Sequence, residues 1–367
     1  MTKILVTGAD GFIGKNLCIR AAELNYTVLP FTRSHALSDL PLMLNMVDSV
    51  IHLAGVNRPL ADDEFTKVNA DLTVTLCNLI AAQQHKPSLL LASSTQAIQP
   101  NAYGESKLAA ENAVRHLANQ HGVKVHIYRL PNVFGKWCKP NYNSVVATFC
   151  YNISQDLPIQ INDANKALNL VYIDDVVNAF LEIIAVENET VDQTIVPQYS
   201  TMLGELAEII KSFKASRNTG VVAPVGTGFV RALYSTYISY LTPHQFAYPL
   251  TKHADPRGEF VEMLKTQNSG QFSYFTAFPG VTRGGHYHHT KTEKFLVIRG
   301  SAKFGFRHII SNEHYEITTN GGEPQVVETV PGWTHDITNI GNDEMIVMLW
   351  ANEIFDRDKP DTIAEKV

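Results

Sequence analysis

A short apolar run, Lys3 to Thr7, enters the glycine turn Gly8-Ala9-Asp10-Gly11-Phe12-Ile13-Gly14, and from Lys15 to Leu24 apolar residues recur at helical spacing. A strand, a glycine turn and a helix at the head of the chain constrain the fold most, because the helix must pack back over the sheet its strand begins. Gly8 and Gly11 free the backbone to approach a diphosphate lying at the helix N-terminus, and Gly14 lets helix and strand pack closely. A plain turn would use the same glycines without a ligand; their place at the first strand-to-helix junction favours the ligand.

Strands alternate with helices beyond this point. Thr27 to Phe31, Ser49 to Ala54, Ser88 to Ser93 and Lys124 to Arg129 read as strands, and Asp63 to Gln84 and Gly104 to Asn119 as helices. The alternation predicts an α/β fold, a Rossmann-like doubly wound parallel sheet with helices on both faces. The second strand runs into Pro30-Phe31-Thr32-Arg33-Ser34, where an NAD site would usually offer an acid to the ribose 2′-hydroxyl. Arg33 offers a guanidinium to a 2′-phosphate instead, which favours NADPH; a surface arginine without a ligand is the alternative.

Tyr103-Gly104-Glu105-Ser106-Lys107 places a phenol and an ammonium four residues apart on one helix face, downstream of Ser93-Ser94-Thr95 at a strand end. The Lys107 ammonium is expected to pull the Tyr103 phenol toward neutrality, as proton exchange with a sugar hydroxyl or carbonyl requires, with Ser94 bonding the same oxygen. Such a pair is a common accident on helices, but the glycine turn and the upstream serine narrow its meaning.

From about Tyr248 the helical period disappears. Glu259 to Lys265, Gln271 to Ala277, Glu293 to Ile298, Lys303 to His308, Gln325 to Thr329 and Glu344 to Ala351 read as strands between glycine, proline and asparagine turns. An all-β barrel or jelly roll is expected here. The break falls in Tyr240 to Leu250, giving expected domains 1–245 and 246–367.

The formal net charge of -6 and the lack of any Lys/Arg run argue against nucleic acid and membrane surfaces as partners. Neither a cleavable secretory pattern nor a spanning apolar stretch is read, so the expected location is cytoplasmic. Cys18, Cys77, Cys138 and Cys150 are scattered, and read as reduced thiols, not a disulfide or thiolate zinc framework.

The first two thirds resemble the extended short-chain dehydrogenase/reductases that act on sugar nucleotides. The glycine turn, His52-Leu53-Ala54-Gly55, Ser93-Ser94, Tyr103 to Lys107, Arg129 to Gly135 and Val171 to Val176 carry the likeness. It implies Ser94, Tyr103 and Lys107 as catalytic residues. It implies cofactor contacts from Gly8, Gly11, Phe12, Ile13, Gly14, Arg33, Leu53, Ala54, Gly55, Tyr103 and Lys107, and a substrate contact from Asn132. Asp174 or Asp175 is read as a helix cap accepting backbone N–H groups. Ser94 to Ile98 and Gly135 to Tyr142 depart from the family pattern, which leaves the shape of the substrate pocket open.

The last third resembles the cupin superfamily. Gly280, five residues, His286, one residue, His288, four residues, Glu293, six residues and Gly300 match its first motif, and Pro331 to Asn339 with His335 match the second with one residue fewer. Histidines alternating on a strand share a face. The resemblance implies a divalent metal, zinc foremost, on His286, His288, Glu293 and His335, with His289 able to replace His286 or His288. A barrel that keeps these histidines without a metal is the alternative.

An extended reductase followed by a cupin resembles the bifunctional enzymes of capsular polysaccharide and O-antigen synthesis. That likeness implies a UDP-4-keto-deoxyaminosugar substrate, 3-epimerisation followed by 4-reduction, and a homodimer. Two alternatives remain: a reductase or 4-epimerase with a cupin used only for dimerisation, and an oxygen-activating cupin.

Overall fold

The computed structural model describes residues 2–59, 61, 64–186, 191–289 and 291–367. Two compact units emerge: Met1–Ile210 with Ala232–Leu241, and Lys211–Arg231 with Thr242–Val367.

In the first unit, β1 (Lys3–Thr7), β2 (Thr27–Phe31), β3 (Ser49–His52), β4 (Ser88–Ser94), β5 (Val125–Leu130) and the short β8 (Asp192–Gln193) form one sheet in the order β2-β1-β3-β4-β5-β8. Every pairing in it is parallel. Parallel strands buried on both faces need continuous apolar runs, and Ile4, Leu5 and Val6 are all fully buried. Alternate side chains serve opposite layers. Ile4, Val6 and Leu90 pack with α1 (Phe12–Glu23) and α6 (Ile173–Ala185) through Leu17, Val176 and Phe180. Leu5, Leu89 and Leu91 pack with α3 (Leu72–Ala81) and α4 (Ala102–His121) through Leu76, Ile80, Val114 and Leu117. This is the expected doubly wound Rossmann-like sheet. Its strand order reverses between β1 and β3, the place at which sheets of this kind bind ligands beyond the carboxyl ends of their strands.

Local features qualify the sequence reading. The expected helix start at Asp63 lies outside the described residues, and Phe65–Asp71 forms a wide π turn ahead of α3. Asn101 caps α4, accepting the Gly104 N–H on Oδ1 at 2.9 Å. Neither Asp174 nor Asp175 caps α6: Tyr172 holds the cap position without a side-chain bond, and Asp174, inside the first turn, accepts from Lys136 Nζ at 2.5 Å. A small second sheet, with β7 (Ala167–Tyr172) between β6 (Asn132–Phe134) and β9 (Tyr199–Met202), extends this unit.

The second unit is a jelly roll of the cupin type. One sheet runs β10 (Val221–Val222), β12 (Gly258–Thr266), β13 (Gly270–Ala277), β20 (Met345–Ala351), β15 (Glu293–Arg299), β18 (Val326–Glu328), with β11 (Lys252–Asp255) also paired to β12. The other runs β17 (His314–Asn320), β16 (Ser301–His308), β19 (Trp333–Asn339), β14 (Thr282–Tyr287), β21 (Ile363–Ala364). Phe275, Phe295, Val297, Phe304, Ile337 and Val347 fill the space inside. Strand β17, HYEITTN, has too few apolar residues to show in the pattern. A bulge at Gly284 and Gly285, with φ of +95° and +79°, shifts the register so that His286 stands opposite His335.

Candidate functional site

The glycine turn sits at the carboxyl end of β1. Gly8 adopts φ +71°, and its N–H donates to the Phe31 carbonyl at 3.0 Å, bringing the end of β2 beside the turn. Exposed Arg33 lies just past that strand. A Cβ on Gly14 would fall 2.3 Å from Gly8 O and 2.7 Å from the Ala9 Cα, so only glycine allows this approach of α1 to β1. Phe12 and Ile13 open α1, which leaves its first N–H groups free of side-chain caps.

The loop after β3 is tied to β1 by a buried polar chain. Thr73 donates its hydroxyl to Asn69 O at 2.7 Å and so accepts from His52 Nε2 at 2.9 Å; His52 Nδ1 then accepts the Thr7 hydroxyl at 2.6 Å. The Thr7 oxygen in turn accepts the Leu53 and Ala54 N–H groups, each at 3.2 Å. Burial, with Lys107 adding to it, pushes the His52 imidazole down to about 3, so the ring is neutral as this chain of bonds requires.

Ser94 ends β4, and Tyr103 and Lys107 occupy the first turns of α4. Ser94 Oγ accepts the Gln96 N–H at 3.1 Å and lies near enough to the Tyr103 phenol to favour its ionised form. Lys107 Nζ donates to Ala92 O at 3.4 Å and stands 5.9 Å from the Tyr103 ring centre. Burial pulls the Lys107 ammonium down to about 8, with Glu111 partly restoring it. The expected drop in the Tyr103 phenol is not found: burial raises it, Ser94 only partly offsets that, and Lys107 is turned to a carbonyl. Sequence reasoning missed Asn69, which accepts Val56 N–H at 2.8 Å and donates to Ser106 Oγ at 3.0 Å, bracing the loop after Gly55 against α4. Also unforeseen was Glu111, whose buried carboxylate takes Ser93 Oγ at 2.5 Å and Arg129 Nη2 at 2.6 Å. Asn132 is exposed on β6, its Nδ2 donating to Asn169 O at 3.4 Å.

In the second unit His286, His288, Glu293 and His335 converge, with one donor atom of each within 4.8 Å of all the others. His288 lies one residue beyond β14, and its Nδ1 donates to Asp361 O at 2.5 Å, leaving Nε2 3.3 Å from Glu293 Oε2. His335 is buried with neither ring nitrogen hydrogen-bonded, and its Nε2 stands 3.4 Å from the same oxygen. Two imidazole nitrogens converging on one carboxylate oxygen, that of His335 without any hydrogen bond, with the His286 ring beside them, make the donor set of a divalent first-row metal, so these residues fit such an ion. Burial would raise the Glu293 carboxyl, but His288, His335 and Lys291 together hold it far below the usual carboxylate range. Burial, reinforced by His335, lowers the His286 imidazole to about 4. A cavity of about 120 Å³ beside the cluster is lined by Arg283, Phe295, Phe304 and Asp336 among others. His289 does not join the cluster: it is exposed, its N–H donates to Asp361 Oδ1 at 2.9 Å, and its ring faces Tyr287.

The model of the NAD dependent epimerase/dehydratase family matches residues 4–196, more than half of the chain. The chain belongs to that family. Residues 253–363 match the polysaccharide biosynthesis C-terminal domain. A protein of Pseudomonas aeruginosa named UDP-2-acetamido-2,6-beta-L-arabino-hexul-4-ose reductase is 55% identical over 364 residues, 99% of this chain and 98% of its own length. The crystal structure of the capsular polysaccharide assembling protein CapF from Staphylococcus aureus superposes with a TM-score of 0.91 at 42% identity, covering 99% of this chain and 100% of that one. A UDP-glucuronic acid 4-epimerase from Bacillus cereus, solved with NAD, shares the fold alone, with a TM-score of 0.57 at 17% identity over 65% of this chain and 98% of its own. Within this epimerase/dehydratase member, no helix among the described residues is long and apolar enough to cross a membrane. Its four cysteines are free thiols.

Proposed function

We propose that this chain is a bifunctional sugar-nucleotide enzyme. Its β unit inverts carbon 3 of a UDP-2-acetamido-2,6-dideoxy-4-hexulose. Its Rossmann-like unit then reduces the 4-ketone to give UDP-N-acetyl-6-deoxy-L-talosamine, a precursor of UDP-N-acetyl-L-fucosamine for capsule or O-antigen. The observation that carries this reading is Ser94, Tyr103 and Lys107 gathered beside the switch point of the sheet, in a chain aligned from end to end with a protein named as a hexul-4-ose reductase.

The cofactor is held by Gly8, Gly11, Phe12, Ile13, Gly14, Leu53, Ala54 and Gly55, with Arg33 taking the 2′-phosphate that distinguishes NADPH from NADH. Bound NADPH supplies the hydride that turns carbon 4 from a carbonyl to an alcohol carbon. Tyr103 gives the proton to the carbonyl oxygen: the phenol O–H bond breaks, the sugar O–H bond forms, and a phenolate remains until solvent reprotonates it. The raised phenol keeps that proton in place at neutral pH, and Ser94 steadies both forms by hydrogen bonding. Asn132 contacts the sugar nucleotide.

In the β unit, His286, His288, Glu293 and His335 hold the divalent metal, zinc first among candidates. That ion would supply electrophilic support to the enolate formed when carbon 3 loses its proton. A homodimer in the cytoplasm belongs to the same proposal.

The deciding experiment follows the 4-hexulose substrate by NMR in deuterated water, with and without NADPH. Exchange at carbon 3 without NADPH, and reduction only with it, is the expected result. Reduction without any exchange would leave a single-function reductase whose β unit has no chemistry.

A further inference from the structure

The metal-ligand loop between His288 and Glu293 is held by a distant part of the chain. Asp361 uses all three of its acceptor oxygens there. Its carbonyl accepts His288 Nδ1 at 2.5 Å, Oδ1 accepts His289 N–H at 2.9 Å and Oδ2 accepts Lys291 N–H at 2.8 Å. Two residues on, β21 pairs with β14 so that Ala364 lies opposite His286 and Ile363 opposite Tyr287. The Glu365 carbonyl accepts the Thr334 hydroxyl at 2.6 Å, beside His335, and its carboxylate takes Arg307 at 2.7 Å. The same stretch places the Phe355 ring 5.6 Å from Lys291 Nζ, which donates to Glu293 Oε1 at 3.1 Å. Every ligand of the cluster is therefore touched by this segment, or neighbours a residue that is.

We infer that the strap Phe355–Glu365 completes the metal site, with Asp361 as its positioning residue. The inference rests on the metal reading above and deepens it. A carbonyl can only accept, so its bond to His288 Nδ1 fixes the proton there and leaves Nε2 as the ligand nitrogen, turned toward Glu293 Oε2. The carboxylate ties down two N–H groups of the loop that carries His288 to Glu293. Buried Lys291 occupies Glu293 Oε1, so Oε2 is the oxygen left to face His288 and His335. None of these groups needs to touch the ion to set its geometry.

The test measures zinc affinity of the full-length protein by competition with a chromophoric chelator, and the visible spectrum of the cobalt(II)-loaded form. Asp361→Asn keeps the shape but replaces one acceptor oxygen by a donor amide; a chain ending at Pro360 removes the strap beyond that point. Zinc affinity is expected to fall about 10- to 100-fold in Asp361→Asn and further in the shortened chain, the range met when outer-shell partners of metal ligands are lost. The cobalt spectrum of Asp361→Asn should shift, because the carboxylate no longer accepts both loop N–H groups and the His288 ring, still bonded to the backbone carbonyl, moves with the loop; loosened packing elsewhere would leave a bound ion's spectrum unmoved. Should the shortened chain fail to fold, Asp361→Asn alone carries the test. Wild-type affinity and an unmoved spectrum in Asp361→Asn would overturn the role of Asp361 while leaving the metal reading intact. A wild-type protein that binds neither zinc nor cobalt would overturn both.

Discussion

Lys107 Nζ lies 3.2 Å, and Asn69 Oδ1 2.9 Å, from the point where a Cβ on Gly55 would fall. The loop after β3 and the helix carrying Tyr103 thus meet with no room for a methyl group. Asn69 cannot give way, since its amide is committed to Val56 and Ser106. Gly55→Ala should displace the buried ammonium and destabilise the protein by about 1–3 kcal/mol, the usual cost of overpacking. NADPH oxidation should fall with it. A melting temperature and rate equal to wild type would show that the contact is slack.

Tyr103→Phe removes one oxygen from a ring that also packs against Phe65, with centres 5.6 Å apart. The fold and cofactor binding should persist. The loss of the proton donor should slow reduction by about 100- to 10,000-fold, the range for a positioned general acid. Stopped-flow absorbance at the nicotinamide band reads it directly, and near wild-type rates would remove Tyr103 from the mechanism.

The lowered Lys107 ammonium has a signed effect on stability. The unfolded chain keeps this proton up to about 10.5, while the folded protein releases it near 8. Between those values the unfolded state binds more protons, so this group favours the fold increasingly as pH rises, by up to about 1.4 kcal/mol per pH unit. Urea unfolding of the cofactor-free protein at pH 8, 9 and 10 should show this slope in wild type minus Lys107→Met, where other titrations cancel. A flat difference would mean that the lysine is not held neutral by burial.

Much of the site was legible because its signals are local. Gly8 to Gly14 and Tyr103 to Lys107 each lie within one strand-to-helix junction or one helix, where spacing dictates geometry. The four converging residues His286, His288, Glu293 and His335 were legible for another reason: they fall in the two motifs that resemble the cupins, whereas the bulge at Gly284 that sets His286 opposite His335 left no mark in the sequence. Asn69 and Glu111 were hidden, since the π turn before α3 breaks the helical period and a buried acid reads like a surface one until Arg129 is seen beside it. Asp361 was hidden more deeply, in a polar stretch without strand pattern, 73 residues from the histidine it holds. The direction of the Tyr103 shift also could not be read, because it depends on where the Lys107 side chain turns.

The last prediction separates the two activities. Carbon 3 of a 4-ketone loses its proton to a base with electrophilic support and needs no hydride, so wild-type protein without NADPH should exchange that hydrogen for solvent deuterium. Tyr103→Phe should exchange equally well, since the tyrosine and the histidine cluster share no residue and lie in different compact units. His335→Ala removes a buried imidazole whose nitrogens have no other hydrogen-bond partner, so exchange should stop while NADPH binding stays. Its melting curve then decides what the ion does. Binding free energy of a structural ion is also folding free energy, so a structural role would lower the melting temperature and abolish the difference that chelator makes in wild type. A catalytic role would leave a barrel that melts as untreated wild type does, with chelator moving neither curve, yet cannot exchange. Exchange at the wild-type rate by His335→Ala would place the epimerase chemistry outside the histidine cluster.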